Sequence, residues 1–276
     1  MKNSLIKKTF LVLLLIFTII GMVACNTPTP SSQDTDKEQD IEESVEQIDI
    51  TVSAAISLTD AMEEIKEIYE GQNKNINIIY NFGASGALMQ QIEEGAPVDI
   101  FLSAAQKQMN QLEEKDLIIK DSRKDFVAND LVLIVNKNHQ DTIKSIDDLT
   151  SLKNEKIAIG EPESVPAGKY TVESLQSLGL YDDLLENVVF TKNVRQVITY
   201  VDSENTIAGF CYGSDAIAAK DSVVVQVVED NSHEPIVYPA AIVKDTTNIE
   251  ASKDFLSFIL SSEAKDIFEK YGFSKI

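Results

Sequence analysis

The sequence predicts a parallel α/β fold, and three observations carry that prediction. Short runs rich in β-branched residues alternate with stretches whose apolar residues fall at helical spacing, the order that lays helices against a sheet. The run 129–136 is apolar through its middle without alternation, as in a strand buried on both faces of a parallel sheet. Strand-like runs also give way, more than once, to a turn of small residues just ahead of a helix. No solenoid-length repeat, Walker loop, dinucleotide glycine fingerprint or zinc-protease helix occurs.

The amino-terminal stretch is an address, not part of the fold. Lys2, Lys7 and Lys8 precede an apolar block at 10–24, which ends in Ala24 and then Cys25. A basic start, a short apolar region and small residues before a cut describe a secretory signal at 1–24. Met22-Val23-Ala24-Cys25 resembles a bacterial lipobox, in which Cys25 becomes the lipidated mature terminus and anchors the chain to the outer face of the cell membrane. Met at the first lipobox position departs from the usual Leu. The competing reading is a transmembrane anchor, for which the block is short against the roughly 17–25 residues of a span. Residues 26–47 are polar, acidic and marked by Pro28 and Pro30, so they read as a disordered tether.

The first strand, 48–52, leads into Ser53-Ala54-Ala55-Ile56-Ser57-Leu58-Thr59-Asp60 and then a helix through Met62, Ile65 and Tyr69. Ser57 followed by Asp60 suggests a capping box at the helix start, with Asp in place of Glu or Gln. A second strand at 76–80 leads into Gly83-Ala84-Ser85-Gly86-Ala87 and another helix, which stops at Gly95. A strand at 98–103 and a helix at 106–114 follow, then the apolar strand at 129–136, read as the crossing into a second lobe. The strand 156–160 precedes Pro166-Ala167-Gly168, where Pro166 fits the first position of a helix. The strand 188–191 precedes Val194, with Asn193 as its cap. The strand 207–212 ends in Tyr212, and a further helix starts at Gly213. Strands at 223–228 and 236–244 and two closing helices at 251–260 and 264–271 complete the reading, Pro239 marking the return crossing or a sheet edge.

Charge narrows the function. The formal net charge is −21, and loss of the signal removes three lysines and no acid, which makes it −24. Such a surface excludes nucleic acid and gives no long-range steering of an anion, so any anion site must be made of local dipoles. Ser57, Ser85, Ala167 and Val194 each lie at or near a helix start that follows a strand, and Tyr212 adds a phenol. Hydroxyls and first-turn backbone N–H groups are neutral donors, suited to a small, fully deprotonated oxyanion. A protonated anion would set its own O–H against donors and be rejected. The bland alternative for each is a capped helix with no ligand. His139 and His233 are too far apart for a transition-metal site, Cys211 reads as a small buried apolar residue, and Arg195 as a solvated or salt-bridged cation.

Several of these stretches resemble the molybdate-binding proteins of bacterial ABC importers. The resemblance rests on Ser53 through Met62, Gly95-Ala96-Pro97-Val98-Asp99-Ile100-Phe101, Gly160 through Gly168, Tyr212-Gly213-Ser214-Asp215-Ala216 and Tyr271-Gly272-Phe273. It covers the chain from about residue 48 to its end. It implies a type II periplasmic-binding fold: lobe 1 from 48–128 and 240–276, lobe 2 from 129–239, a two-strand hinge, and the anion closed between them. It also implies hydroxyl and backbone donors from Ser57 and Ser85, backbone N–H from Ala167 and Val194, and the Tyr212 hydroxyl. The implied protein is a monomeric lipoprotein that captures molybdate, with tungstate as a second ligand, and delivers it to a membrane permease. It is not an enzyme and carries no cofactor. Ala84 and Gly86 stand in a loop richer in Ser in the family, and Ile56 replaces a smaller residue.

Two alternatives stay open at the level of sequence. The ligand is another tetrahedral anion such as sulfate, or the chain is a secreted serine hydrolase. Gly83-Ala84-Ser85-Gly86-Ala87 falls one residue short of the hydrolase elbow, with Ala87 in the last Gly position, and neither His stands in a recognisable triad context.

Overall fold

A computed structural model describes residues 47–152 and 154–276; the expected signal, Cys25 and all but the last residue of the tether lie outside the described residues. The chain begins with β1 (Ile48–Ala55), α1 (Thr59–Gln72), β2 (Ile76–Gly83), α2 (Ser85–Glu93), β3 (Ile100–Leu102), α3 (Gln106–Glu114) and β4 (Lys124–Ala128). Next come β5 (Leu131–Asn136), β6 (Ile157–Gly160), α4 (Pro166–Ser177), the one-turn α5 (Tyr181–Leu184), β7 (Val188–Thr191) and α6 (Val194–Asp202). After these follow β8 (Ala208–Tyr212), the short α7 (Gly213–Ala216) and β9 (Ser222–Val227). The last stretch holds β10 (Val237–Ile242), α8 (Ile249–Ile259), α9 (Ser262–Lys270) and β11 (Ser274–Lys275).

These strands form two sheets, one in the order β11-β4-β10-β3-β1-β2 and the other β7-β6-β8-β5-β9. Within the first, β1 is parallel to β2 and β3, whereas β10 runs antiparallel to β3 and β4. Within the second, β6 is parallel to β7 and β8, and β5 runs antiparallel to β8 and β9. Both sheets are therefore mixed, which corrects the parallel assignment of 129–136. All six residues of β5 are buried, as the apolar run required, but both neighbours run the opposite way. Burial on two faces reports the layers above and below a strand and carries no information about the direction of its neighbours.

The chain leaves the first sheet at Ala128, enters the second at Leu131, and returns between Val227 and Val237. Ala128 pairs with Val237, so the two crossing segments run side by side. Pro239 lies in an interior strand, at a break in the β10–β4 register, where a missing backbone donor is tolerated. Two strands escaped the sequence reading. β4 begins with exposed Lys124 and Asp125, which mask its buried Phe126 and Val127, and β11 is only two exposed residues long.

Helix α1 shows how pattern becomes packing. Ala61, Met62, Ile65 and Tyr69 are buried on one face, and the Tyr69 ring stacks on Phe255 and Phe258 of α8 at centroid distances of 4.7 and 5.2 Å. Cys211, in the middle of β8, is a fully buried free thiol whose pKa burial pushes well above its usual value. It is a small core residue.

Candidate oxyanion-binding site

The carboxyl ends of β1 and β8 run directly into helical turns, and those of β2, β7 and β6 reach the helices α2, α6 and α4 through short turns. At β1 the strand extends through Ala55, and Ile56–Leu58 form a single 3-10 turn before α1. The capping box expected at Ser57 and Asp60 is absent. Leu58 caps α1 without a side-chain hydrogen bond, because the extra turn places Ser57 inside the helical entry instead of ahead of it. Ser57 is buried, and its Oγ lies 3.0 Å from the Tyr238 hydroxyl. Asp60 turns outward and accepts from Arg195 at 2.5 Å.

The other positions are built by the same device. Ser85 is the first residue of α2, and its Oγ accepts from the Ala104 backbone N–H at 2.9 Å, which leaves the hydroxyl proton free. Ala167 is the second residue of α4, after Pro166 at the first position, as the sequence predicted. A methyl on Gly168 would lie 1.9 Å from the Gly160 carbonyl oxygen, so only glycine lets the start of α4 seat against the end of β6. Val194 is the first residue of α6, and the Asn193 side chain caps that helix by accepting from Gln196 N at 2.9 Å. First-turn N–H groups have no partner within their own helix. They carry the positive end of the helix dipole.

Ser57, Ser85, Ala167, Val194 and Tyr212 all line one small cavity, with about 10 Å³ open to the centre of a water molecule. Ser57 and Ser85 enter from the first sheet's side, and Ala167, Val194 and Tyr212 from the second's. The five are brought together although more than 150 residues separate Ser57 from Tyr212. The Tyr212 hydroxyl is buried and has no hydrogen-bond partner among the described residues. Burial pushes its pKa well above the usual phenol value, so it stays a neutral donor.

Arg195 does not face the cavity as a clamping cation. Its guanidinium bonds Asp60 on α1 at 2.5 Å and Asp215 on α7 at 3.3 Å. Asp215 is fully buried, and desolvation raises its pKa to about 7 in spite of Arg195. This acid sits three residues after Tyr212, where an isolated negative charge would oppose an anion, and Arg195 offsets it. Neither His is close to Ser85 in the hydrogen-bond network: Ser85 Oγ bonds the Ala104 backbone and His233 bonds the Glu234 carbonyl oxygen. Sequence reasoning missed Tyr238, Asn129 and Ser214. Their hydrogen bonds link the crossing segments to Ser57, a relation that no local pattern announces.

Two mixed sheets with their helices, a pair of crossing segments between them and a cavity lined from both sides define a binding protein of the periplasmic type. The chain belongs to the bacterial extracellular solute-binding protein family, whose model matches residues 50–274. It is a binding protein, not an enzyme. YvgL of Bacillus subtilis, assigned as an ABC transporter substrate-binding lipoprotein, is 40% identical over 97% of this chain and 98% of its own length. The molybdate-binding protein ModA of Haemophilus influenzae is 38% identical over 82% of this chain and 89% of its own. A solved substrate-binding domain assigned to a molybdenum ABC transporter of Clostridium difficile superposes with a TM-score of 0.66 at 44% identity, over 83% of this chain and 99% of that one.

Proposed function

We propose that this protein captures molybdate outside the cytoplasm and delivers it to an ABC transporter permease, with tungstate as a second ligand. The Tyr212 hydroxyl carries the reading: a buried phenol with no partner among the described residues, on a cavity that Ser57, Ser85, Ala167 and Val194 also line. A buried donor left without a partner costs about 1–3 kcal/mol, which a fully deprotonated oxyanion would recover. Hydrogen bonds to a charged acceptor contribute about 1.5–3 kcal/mol each, enough in sum to exceed the ordering cost of closing two lobes. The likeness to molybdate-binding relatives supports the choice of anion.

In this reading the two sheets are the moving lobes, 48–128 with 240–276 against 129–239, hinged at the paired segments around Ala128 and Val237. Cys25 carries the lipid anchor, 26–47 is the tether, and the protein works as a monomer. Calorimetric titration of the anion-free protein with molybdate, tungstate, sulfate and phosphate tests the ligand. Tight binding of molybdate and tungstate, with sulfate and phosphate far weaker, is expected. Preference for sulfate or phosphate overturns it.

A further inference from the structure

We propose that Asn129, acting through Tyr238, is the positioning device that fixes the direction of the Ser57 hydroxyl proton and so makes Ser57 an obligate donor. The inference rests on the reading of Ser57 as a ligand-binding residue. It concerns Tyr238, which contacts Ser57, and Asn129 behind it, neither of which lines the cavity.

The direction follows from groups that cannot reverse. Asn129 Oδ1 accepts from two backbone N–H groups, those of Asp130 at 3.0 Å and Ser214 at 3.4 Å. Those donors fix which end of the amide is oxygen. The amide nitrogen then faces the Ser214 Oγ at 2.8 Å and the Tyr238 hydroxyl at 3.3 Å, which uses both of its protons. The Tyr238 oxygen is therefore an acceptor toward Asn129, and its single proton goes to Ser57 Oγ, 3.0 Å away. Ser57 Oγ accepts that proton, and its own is left to point into the cavity. All three side chains are buried, so no water is free to reset the order. Burial also holds the Tyr238 phenol protonated.

Ser85 reaches the same state by a shorter route, since its Oγ accepts from the Ala104 backbone N–H. Both serines thus accept from a fixed donor, which leaves their own proton for the guest. Presenting the remaining lone pair to a protonated anion would turn that proton away from its acceptor, so the two devices favour a fully deprotonated guest. The Asn129 chain also starts at the crossing between the sheets, which couples the polarity of the site to the segment about which the lobes would move.

The test is a double-mutant cycle read by calorimetric titration with sodium molybdate. Tyr238→Phe keeps the ring that packs edge-on against Phe126 and Phe273, so the core is unchanged. It is expected to weaken binding about tenfold, the equivalent of roughly one hydrogen bond. Ser57→Ala weakens binding as well. In the Ser57→Ala background, Tyr238→Phe is expected to add nothing, because its effect passes only through Ser57. A merely structural Tyr238 gives losses that multiply in full, and that result overturns the inference while leaving Ser57 in the site. Unchanged affinity for Tyr238→Phe in the unsubstituted protein also overturns it. Unchanged affinity for Ser57→Ala overturns the site reading itself, and the inference with it.

Discussion

One oxygen on Tyr212 tests the site at the scale of a residue. The ring packs 5.8 Å from that of Tyr238, and the hydroxyl has no partner among the described residues, so Tyr212→Phe removes a donor and leaves the packing. Molybdate binding should weaken by about 1–3 kcal/mol in calorimetry, with the thermal midpoint unchanged or raised, since a buried unpaired donor has been removed. An unaltered affinity takes Tyr212 out of the site. Ser57 teaches a different lesson at this scale. The sequence placed it correctly at a helix entry and misread its hydroxyl as a cap, because a side chain three residues from an acid looks the same whether it faces the backbone or a tyrosine 181 positions away. Local spacing measures separation along the chain, and the Tyr238 contact is made only once β10 lies beside β3.

At the scale of an element, the helix start is the functional unit, and α6 isolates it. Val194 is the first residue of the helix, and Asn193 before it is extended, with φ −161° and ψ 167°. Both positions accommodate proline at 194, whose ring suits the first helical position and whose neighbour prefers extended backbone. Val194→Pro therefore deletes the N–H with little disturbance to α6, whereas Val194→Ala keeps the N–H and trims a buried side chain. Proline should cost molybdate binding at least about tenfold more than alanine, on the scale of one charge-assisted hydrogen bond. Equal losses would show that the side chain, and not the backbone, matters there. The elements themselves were largely legible. Pro166 at the start of α4 and Asn193 capping α6 are found where local chemistry put them. The strand β4 was not, since its charged first half gives no alternation and only its partners β10 and β11 make it a strand.

At the scale of the molecule, contacts run across the cavity from one sheet's side to the other's. Gly86 N donates to the Ser164 carbonyl at 3.0 Å, Arg195 reaches Asp60 at 2.5 Å, and Lys107 lies 3.6 Å from Glu163, each joining the two sides. The first is sterically tight. A methyl at Gly86 would stand 2.7 Å from both Cα and O of Ser164, and these are backbone atoms that cannot swing aside. Gly86→Ala should therefore fold normally, because the clash is relieved by opening the lobes, and bind molybdate more weakly by about 1–3 kcal/mol, the usual range for overpacking. Small-angle scattering with saturating molybdate should give a larger radius of gyration than the unsubstituted protein. Identical scattering and affinity would show that Gly86 and Ser164 do not meet in the bound form.

The sequence by itself determined the α/β class, the positions of the helix starts and the chemistry they offer, because strand periodicity, small-residue turns and neutral donors are local properties of adjacent residues. Only the tertiary structure decided which strands run antiparallel, that five distant positions share one cavity, that Arg195 is held by Asp60 and Asp215, and that Tyr238 and Asn129 stand behind Ser57. Those are relations between segments far apart in the chain, fixed by how two sheets pair and face each other, and no window of neighbouring residues contains them.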